Sequence, residues 1–309
     1  MNNSRKVASV AGALSVLWVG LTAAIAASQR RLVFNPTNKR EVANPRSSGH
    51  RTRPIVLRAA DGTKLSGWLM TPQVVGPHPA VVYFGGRSEE VSWVVRDAAR
   101  LFPGMAVLAV NYRGYGNSGG DPAENHMVDD GRLLFDWLSE RHHVDKTRVA
   151  VVGRSLGSGV AVQVALERPV HSLVLITPYD SILAIAKRRF RAVPVEYVLR
   201  HRFESIKYAP SLTCPTFVVR AAADDVVPHS HTDLLVAKLG KLDRDEIIPD
   251  SDHMNIPYLA STQGSIAAFL SARFNAPSAP ALASIIVPVT PVPHSMSAIP
   301  VPMGPASAT

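Results

Sequence analysis

Residues 149–157 read Val149-Ala150-Val151-Val152-Gly153-Arg154-Ser155-Leu156-Gly157 and contain the pattern Gly-x-Ser-x-Gly. The apolar first half predicts a buried strand, and the residues after Leu156 predict a helix. A serine on such a sharp strand-to-helix turn has a strained backbone, and glycines two positions to either side avoid collisions with the neighbouring strand and helix. This setting predicts that Ser155 is a nucleophile, which the five-residue pattern alone would indicate only weakly.

A serine hydroxyl is a poor nucleophile unless a base activates it and an acid orients that base. After a turn of this kind the two partners follow along the chain in the order Asp or Glu, then His. The apolar run 216–219 is followed by Asp224 and Asp225, and a second run is followed by His253. Because one step along the chain reverses the direction of a side chain, the residues alone leave both Asp224 and Asp225 open as the acid.

Further apolar runs predict the rest of the fold. Unalternated runs are typical of parallel strands buried on both faces. They lie at 80–84, 106–110, 149–152, 173–176, 216–219 and 246–248, and segments of helical spacing lie at 89–101, 128–141, 156–167, 232–239 and 262–274. Before them, Asp61-Gly62 between residues 55–57 and 65–70 predicts a hairpin with a tight primed turn. The repeated order of strand and helix predicts an α/β fold, with a mostly parallel sheet between helices on both faces.

Five segments together resemble the α/β-hydrolase superfamily. They are Gly153-Arg154-Ser155-Leu156-Gly157, Asn111-Tyr112-Arg113-Gly114-Tyr115-Gly116-Asn117-Ser118-Gly119, Thr177-Pro178-Tyr179-Asp180-Ser181, Asp224-Asp225-Val226-Val227-Pro228, and His253. The resemblance covers about residues 30 to 274. Within the superfamily, the chain resembles the branch of membrane-associated serine esterases, monoglyceride-lipase-like proteins and protein depalmitoylases. It implies the α/β-hydrolase fold, Asp224 as the triad acid with Asp225 its neighbour, and His253 as the general base.

An acyl-transfer site also needs backbone N–H groups that stabilise the oxyanion of the tetrahedral intermediate. One donor is expected from Leu156, directly after the nucleophile, and one from the loop after the third strand. That loop reads Phe84-Gly85-Gly86-Arg87, where the resembling family usually has His-Gly-Asn. Glycine thus replaces the histidine, and the second donor is expected from either Gly86 or Arg87.

A second glycine pattern, residues 114–119, fits the Gly-x-Gly-x-x-Gly pattern of dinucleotide sites. Gly120-Asp121-Pro122 follows it, however, and not the start of a helix, which argues against a dinucleotide. The resemblance implies instead a loop after the fourth strand that shapes the floor of the pocket. No cofactor and no metal are expected.

The two ends of the chain differ from the predicted domain at residues 30–274. Residues 7–27 carry no charge and have the length of a membrane-spanning helix, between Arg5-Lys6 and Arg30-Arg31. Residues 1–29 are therefore interpreted as a membrane anchor, or as a signal segment cleaved near Ala24-Ile25-Ala26, in which case the protein is exported. Residues 275–309 are rich in Pro, Ala and Ser, and are expected to be disordered.

The strand and helix rhythm breaks at about residues 182–212, where the resemblance implies a short helical cap over the site. Lys187-Arg188-Arg189-Phe190-Arg191 and Arg200-His201-Arg202-Phe203 make this segment basic, in a chain whose net charge is +9. A membrane surface is the expected partner of this charge, and nucleic acid is not, because no binding motif accompanies it. The lone Cys214 excludes an internal disulfide.

These observations favour a serine hydrolase that cleaves the ester or thioester of a small-molecule or lipid acyl substrate, without a cofactor. Two alternatives remain open at this point. One is a serine peptidase of the same fold, and the other is a non-catalytic, membrane-tethered binding module.

Overall fold

The computed structural model describes residues 2–36 and 45–276, with backbone alone for residues 2–11. The strands are β1 His50–Arg58, β2 Lys64–Pro72, β3 His78–Phe84, β4 Ala106–Val110, β5 Val144–Arg154, β6 Ser172–Ile176, β7 Thr216–Ala223 and β8 Leu242–Asp252. The helices are α1 Asn2–Val33, α2 Ser92–Leu101, α3 Glu124–Ser139, α4 Leu156–Glu167, α5 Ile182–Arg189, α6 Val195–Val198, α7 Ser205–Tyr208, α8 His229–Val236 and α9 Ala260–Asn275. The expected tail lies almost wholly outside the described residues.

The strands form one eight-stranded sheet in the order β1-β2-β4-β3-β5-β6-β7-β8. The pairs β1–β2 and β2–β4 are antiparallel, and every pair from β4 through β3 to β8 is parallel. The prediction of a mostly parallel sheet in an α/β fold is confirmed. The carboxyl ends of β3, β5, β7 and β8 therefore meet at one edge of the sheet, which is where ligands bind in open α/β folds.

The two faces of the sheet carry separate apolar clusters. Along β3, Val81 and Tyr83 join the cluster that includes α2 and α9, whereas Ala80, Val82 and Phe84 join the cluster that includes α3 and α4. Alternate side chains of one strand are thus buried on opposite faces. This double burial is the reason why the central strands are apolar without alternation.

The predicted hairpin at the amino-terminal side is present, but its turn is wider than expected. β1 pairs with β2 from His50 opposite Pro72 to Arg58 opposite Lys64, which leaves five residues in the connection. Gly62 has a φ of +82°, and the Ala59 N–H donates to the Thr63 carbonyl. Asp61-Gly62 therefore marks a turn, but a longer one than the two-residue primed turn that the dipeptide predicts.

The apolar amino-terminal segment is helical, and α1 continues past it to Val33. Its part from Gly12 to Val33 is long and apolar enough to cross a membrane, a property that signal sequences share. Thr22, Ile25, Ala26 and Gln29 are half-buried, whereas the residues around them are mostly exposed. This spacing of three and four places them on one face of α1, which contacts the segment 182–212.

The segment 182–212 contains α5, α6 and α7, and is called the cap below. Glu124, at the start of α3, holds it to the domain: one carboxylate accepts the Arg202 N–H at 2.7 Å and the Phe203 N–H at 3.0 Å. Burial raises the pKa of this carboxyl group, although these two N–H groups oppose the shift. Six basic side chains of the cap are exposed, namely Lys187, Arg188, Arg189, Arg191, Arg200 and Lys207.

Candidate active site

Ser155 lies on the turn between β5 and α4, with φ 48° and ψ −116°. Such a conformation is strained for a residue with a Cβ atom and persists only where the surroundings enforce it. A Cβ on Gly153 would lie 2.5 Å from the Gly157 carbonyl oxygen, and one on Gly157 would lie 2.5 Å from the Gly85 carbonyl oxygen. The two glycines let α4 and the end of β3 approach the turn, which presents the Ser155 hydroxyl at the sheet edge.

The three residues of the expected triad lie together at that edge. His253, just after β8, has its Nε2 at 2.8 Å from Ser155 Oγ. Its Nδ1 lies 2.9 Å from Asp224 Oδ2 and 3.0 Å from Oδ1. Because a carboxylate can only accept, the proton of the neutral imidazole belongs on Nδ1, which leaves Nε2 free to accept from Ser155.

Asp224 and its neighbour Asp225 point to different surroundings. The Asp224 side chain is 5% exposed, and its Oδ1 also accepts the N–H groups of Val226 and Val227 at 3.0 and 2.7 Å. Asp225 is exposed at the mouth of the cavity described below. The geometry therefore pairs His253 with Asp224 and leaves Asp225 outside this hydrogen-bonded set.

The loop after β3 distinguishes between the two expected oxyanion donors. The Gly86 N–H donates to Glu89 Oε2 at 2.6 Å, so it is engaged by a carboxylate within its own loop. Arg87 lies beside Ser155 and Leu156 in the lining of the same cavity. The N–H of Arg87 is thus the better candidate for the second donor, together with that of Leu156.

The sequence did not predict an ion pair that lies directly behind Ser155. Arg154 Nη1 donates to Glu89 Oε2 at 2.7 Å, and the two side chains are only 5% and 4% exposed. Arg154 Nη2 also donates to the His253 carbonyl at 3.0 Å, while Glu89 accepts from Tyr83 and Trp93. One buried pair therefore connects the loop of the expected oxyanion donors, the turn that carries Ser155 and the loop that carries His253. An arginine so close to the apolar run 149–152 was the available signal.

The charge state of Glu89 follows from these contacts. Burial acts to raise the pKa of its carboxyl group, but the charge of Arg154 and the hydrogen bonds from Gly86, Trp93 and Tyr83 together outweigh burial, and the pKa is lowered from its usual 4.5. A lowered pKa means that the ionised pair contributes stability above pH 4.5, and that this contribution is lost as the pH falls through the lower, folded-state value.

We expect Glu89→Gln to reduce the free energy of unfolding by about 3–5 kcal/mol, because it leaves the Arg154 charge buried without a partner. The matched control is Glu167→Gln, which breaks the exposed pair with Arg132 and should cost at most about 1 kcal/mol. Denaturant unfolding of both variants at pH 7 measures the difference. The deficit of Glu89→Gln should shrink below pH 4.5, and equal losses in the two variants would contradict this role of the pair.

A cavity of about 420 Å³ opens at Ser155, within the size range of ligand sites. It lies between α1, the cap, and the turn after β7. Its apolar lining consists of Ile25, Ala26, Leu32, Val33, Leu156, Ile182, Ile185, Ala186, Phe190, Val195, Val198, Leu199, Val226 and Val227, and its polar lining of Gln29, Arg87, Ser155, Tyr179, Arg189 and Asp225. A cavity of this composition suits an apolar group next to Ser155.

The glycine-rich loop after β4 does not line this cavity, contrary to the expectation that it shapes the pocket floor. It supports other elements instead. The Arg113 guanidinium forms a two-pronged pair with Asp130 of α3, at 2.7 and 2.8 Å, and the Tyr115 hydroxyl donates to the Phe34 carbonyl just after α1. The loop therefore packs behind the site, and the residues that end α1 separate it from the cavity.

Comparisons with known proteins agree with this fold. Residues 76–191 match the family model described as serine aminopeptidase, S33. The chain is 32% identical over 239 residues to an uncharacterized protein of Mycobacterium tuberculosis, covering 76% of this chain and 83% of that protein. It is 26% identical over 239 residues to the alpha/beta hydrolase domain-containing protein WAV2 of Arabidopsis thaliana, covering 70% and 77% of the two chains.

Among solved structures, an acetyl xylan esterase from a Paenibacillus species superposes with a TM-score of 0.59. The two chains are 21% identical, and the match covers 75% of this chain and 86% of that one. At this identity the likeness concerns the fold alone. The sheet, the strand-to-helix turn at Ser155 and these relatives lead to one conclusion: the chain belongs to the α/β-hydrolase superfamily.

Proposed function

We propose that this protein is a serine hydrolase that cleaves the ester or thioester of an acyl substrate at a membrane surface. The observation that carries the proposal is the chain of contacts from Ser155 Oγ through His253 to Asp224, at 2.8 and 2.9 Å, beside an apolar cavity. Distances of this length are within reach of direct proton transfer between nucleophile and base.

The proposed reaction has two halves. His253 Nε2 takes the proton of Ser155 as Oγ attacks the acyl carbon, and the N–H groups of Leu156 and Arg87 stabilise the oxyanion. The tetrahedral intermediate collapses with loss of the alcohol or thiol, which receives the proton from His253. Water then attacks the acyl-enzyme by the same route, and the products are the free acid and the regenerated serine. Asp224 keeps the imidazole in the required tautomer and stabilises its charged form.

A fluorophosphonate probe tests the assignment most directly, since it reacts with activated serines. Wild type should be labelled at Ser155 and should hydrolyse nitrophenyl esters. A protein that folds but is neither labelled nor active would be the non-catalytic, membrane-tethered module.

A peptidase is the second candidate, because the matching family model is described as a serine aminopeptidase. Asp225 at the cavity mouth is a carboxylate that would suit an α-amino group. The apolar remainder of the lining favours an acyl chain over a peptide. Comparing nitrophenyl esters with aminoacyl nitroanilides at equal concentration separates the two, and faster turnover of the amides would replace the esterase proposal.

The proposed location at a membrane rests on α1 and on the exposed arginines of the cap. Basic side chains near an anionic surface each contribute about 1 kcal/mol at physiological salt. We therefore expect Arg188→Gln combined with Arg191→Gln to lower hydrolysis of a long-chain ester embedded in anionic vesicles by about tenfold or more.

This effect should disappear in neutral vesicles and in high salt, and hydrolysis of soluble nitrophenyl acetate should not change. The matched control replaces two exposed arginines of the edge strand β1, Arg51→Gln and Arg53→Gln, with the same change in net charge. If both double variants respond equally to vesicle charge, the cap has no special position toward the membrane.

A further inference from the structure

The last turns of α1 line part of the cavity at Ser155. Ile25, Ala26 and Leu32 belong to its lining, together with the cap residues Val198 and Leu199. These α1 residues lie on or next to the half-buried face of the helix described above. One wall of the cavity is thus made by the apolar amino-terminal helix and not by the hydrolase domain itself.

Hydrogen bonds attach this part of α1 to the cap. Gln29 Oε1 accepts the Arg200 N–H at 2.8 Å, and Gln29 Nε2 donates to the Val198 carbonyl at 3.3 Å. Nearer the start of the helix, the Trp18 indole N–H donates to the Ala192 carbonyl at 2.6 Å. The helix is therefore held against the cap at two positions, Trp18 and Gln29, and the cavity lies beside Gln29.

The end of α1 is also attached to the loop of the expected oxyanion donor. Arg87 Nε donates to the Leu32 carbonyl at 3.1 Å, and Asn35 Nδ2 donates to Ser88 Oγ at 2.6 Å. The last carbonyls of a helix lack partners within the helix and attract a cation, so the Arg87 guanidinium is a suitable cap for α1. Removing α1 would release the side chain of Arg87 as well as one wall of the cavity.

We propose that α1 and the cap together form the acyl-chain binding site, that α1 is retained in the mature protein, and that the acyl chain comes from a membrane lipid. This inference rests on the proposed function, because it concerns the substrate of the same serine. The apolar wall supplied by Ile25 and Ala26 identifies the chemistry as a hydrocarbon chain that extends from the ester at Ser155 along α1.

The part of α1 that precedes Trp18 indicates the source of that chain. Leu14, Val16 and Leu17 are exposed there, as expected for a helix that is covered by lipid. Lys187 and Arg191 lie beside Trp18 at a shallow depression, and charged groups and tryptophan both belong at the level of lipid headgroups. Ile25 follows Trp18 by seven residues, or about 10 Å along the helix. An acyl chain therefore has a short path from the membrane surface to the cavity.

The test uses the full chain in detergent micelles and a series of nitrophenyl esters from acetate to laurate. Ala26→Trp should fill the wall of the cavity and lower the ratio of kcat/KM for laurate to kcat/KM for acetate by about tenfold or more, because even a single excluded methylene matters in an apolar pocket. Ala27→Trp is the matched control, since Ala27 is the next residue, is exposed and does not line the cavity. It should keep the wild-type ratio of laurate to acetate hydrolysis.

Labelling of Ser155 by the fluorophosphonate reports that each variant is folded. Ala26→Leu adds less volume and should lower the ratio of laurate to acetate hydrolysis by a smaller factor. This variant tests the inference if Ala26→Trp does not fold. If wild type hydrolyses both esters and the variants at Ala26 keep its laurate to acetate ratio, the inference is wrong and the proposed function stands. If wild type hydrolyses no ester and is not labelled, the proposed function itself fails.

Retention of the helix has its own measurement. The intact mass of the protein recovered from the membranes of producing cells should include residues 2–26. A mature form that begins after Ala26 and hydrolyses laurate as well as the full chain does would overturn the role of α1.

Discussion

Ser155→Ala should lower kcat for ester hydrolysis by at least about 10⁴-fold, because no other group would attack the acyl carbon within this site. The hydroxyl contacts only the imidazole of His253 in the contacts described above, so its loss should leave the fold intact. Steady-state hydrolysis of nitrophenyl esters and far-UV circular dichroism measure the two effects.

Ser158→Ala is the matched control for this substitution. Ser158 lies three residues further on, in α4, and its hydroxyl donates to the Ser155 carbonyl at 2.6 Å. Its loss should cost less than about tenfold in kcat, since it removes one hydrogen bond to a carbonyl that also accepts the Ser158 N–H. Activity of Ser155→Ala within tenfold of wild type would show that another residue is the nucleophile.

Asp224→Asn should have the second largest effect, a loss of about 10⁴-fold in kcat. The asparagine amide would donate to His253 Nδ1 and so place the imidazole proton on Nε2, where it blocks acceptance of the Ser155 proton. The fold should survive, because the asparagine oxygen can still accept the N–H groups of Val226 and Val227.

Asp225→Asn provides the comparison for the acid and should cost at most about tenfold. Its side chain is exposed at the cavity mouth and makes no hydrogen bond to His253 among the described residues. Measuring kcat and KM for both variants separates a loss in the chemical step from a loss in substrate binding. Equal or reversed losses would move the proposed acid to Asp225.

Local sequence patterns predicted much of the fold and of the candidate site. The apolar runs predicted the five inner strands β3 to β7, because strands buried on both faces leave no polar alternation. The sixth run, 246–248, lies in β8, an edge strand that is mostly exposed, so the expected burial on both faces is wrong there. The glycines around Ser155 predicted a tight turn, and the same two glycines are the positions where a Cβ would collide with α4 and with the end of β3. The position of Asp224 and of His253 after strand ends was enough to predict that they meet at one edge.

Other features depended on contacts between distant segments. The choice between Gly86 and Arg87 as donor rests on Glu89, which engages the Gly86 N–H, and that engagement requires the loop to fold back on itself. Arg154 and Glu89 are 65 residues apart, and no local pattern pairs them. The glycine-rich loop after β4 was expected at the pocket floor, a position that the end of α1 excludes.

The residues along the chain were sufficient to predict the sheet, the turn that carries Ser155, and the order of the candidate acid and base. These follow from periodicity, glycine sterics and strand ends, which are properties of residues near one another in the chain. Three features were visible only in the folded chain: the hydrogen bond between His253 and Asp224, the buried pair of Arg154 and Glu89, and the wall of the cavity that α1 supplies. Hydrogen bonds and apolar contacts between distant segments depend on side-chain direction and on how the helices pack against the sheet, and the local pattern of residues specifies neither.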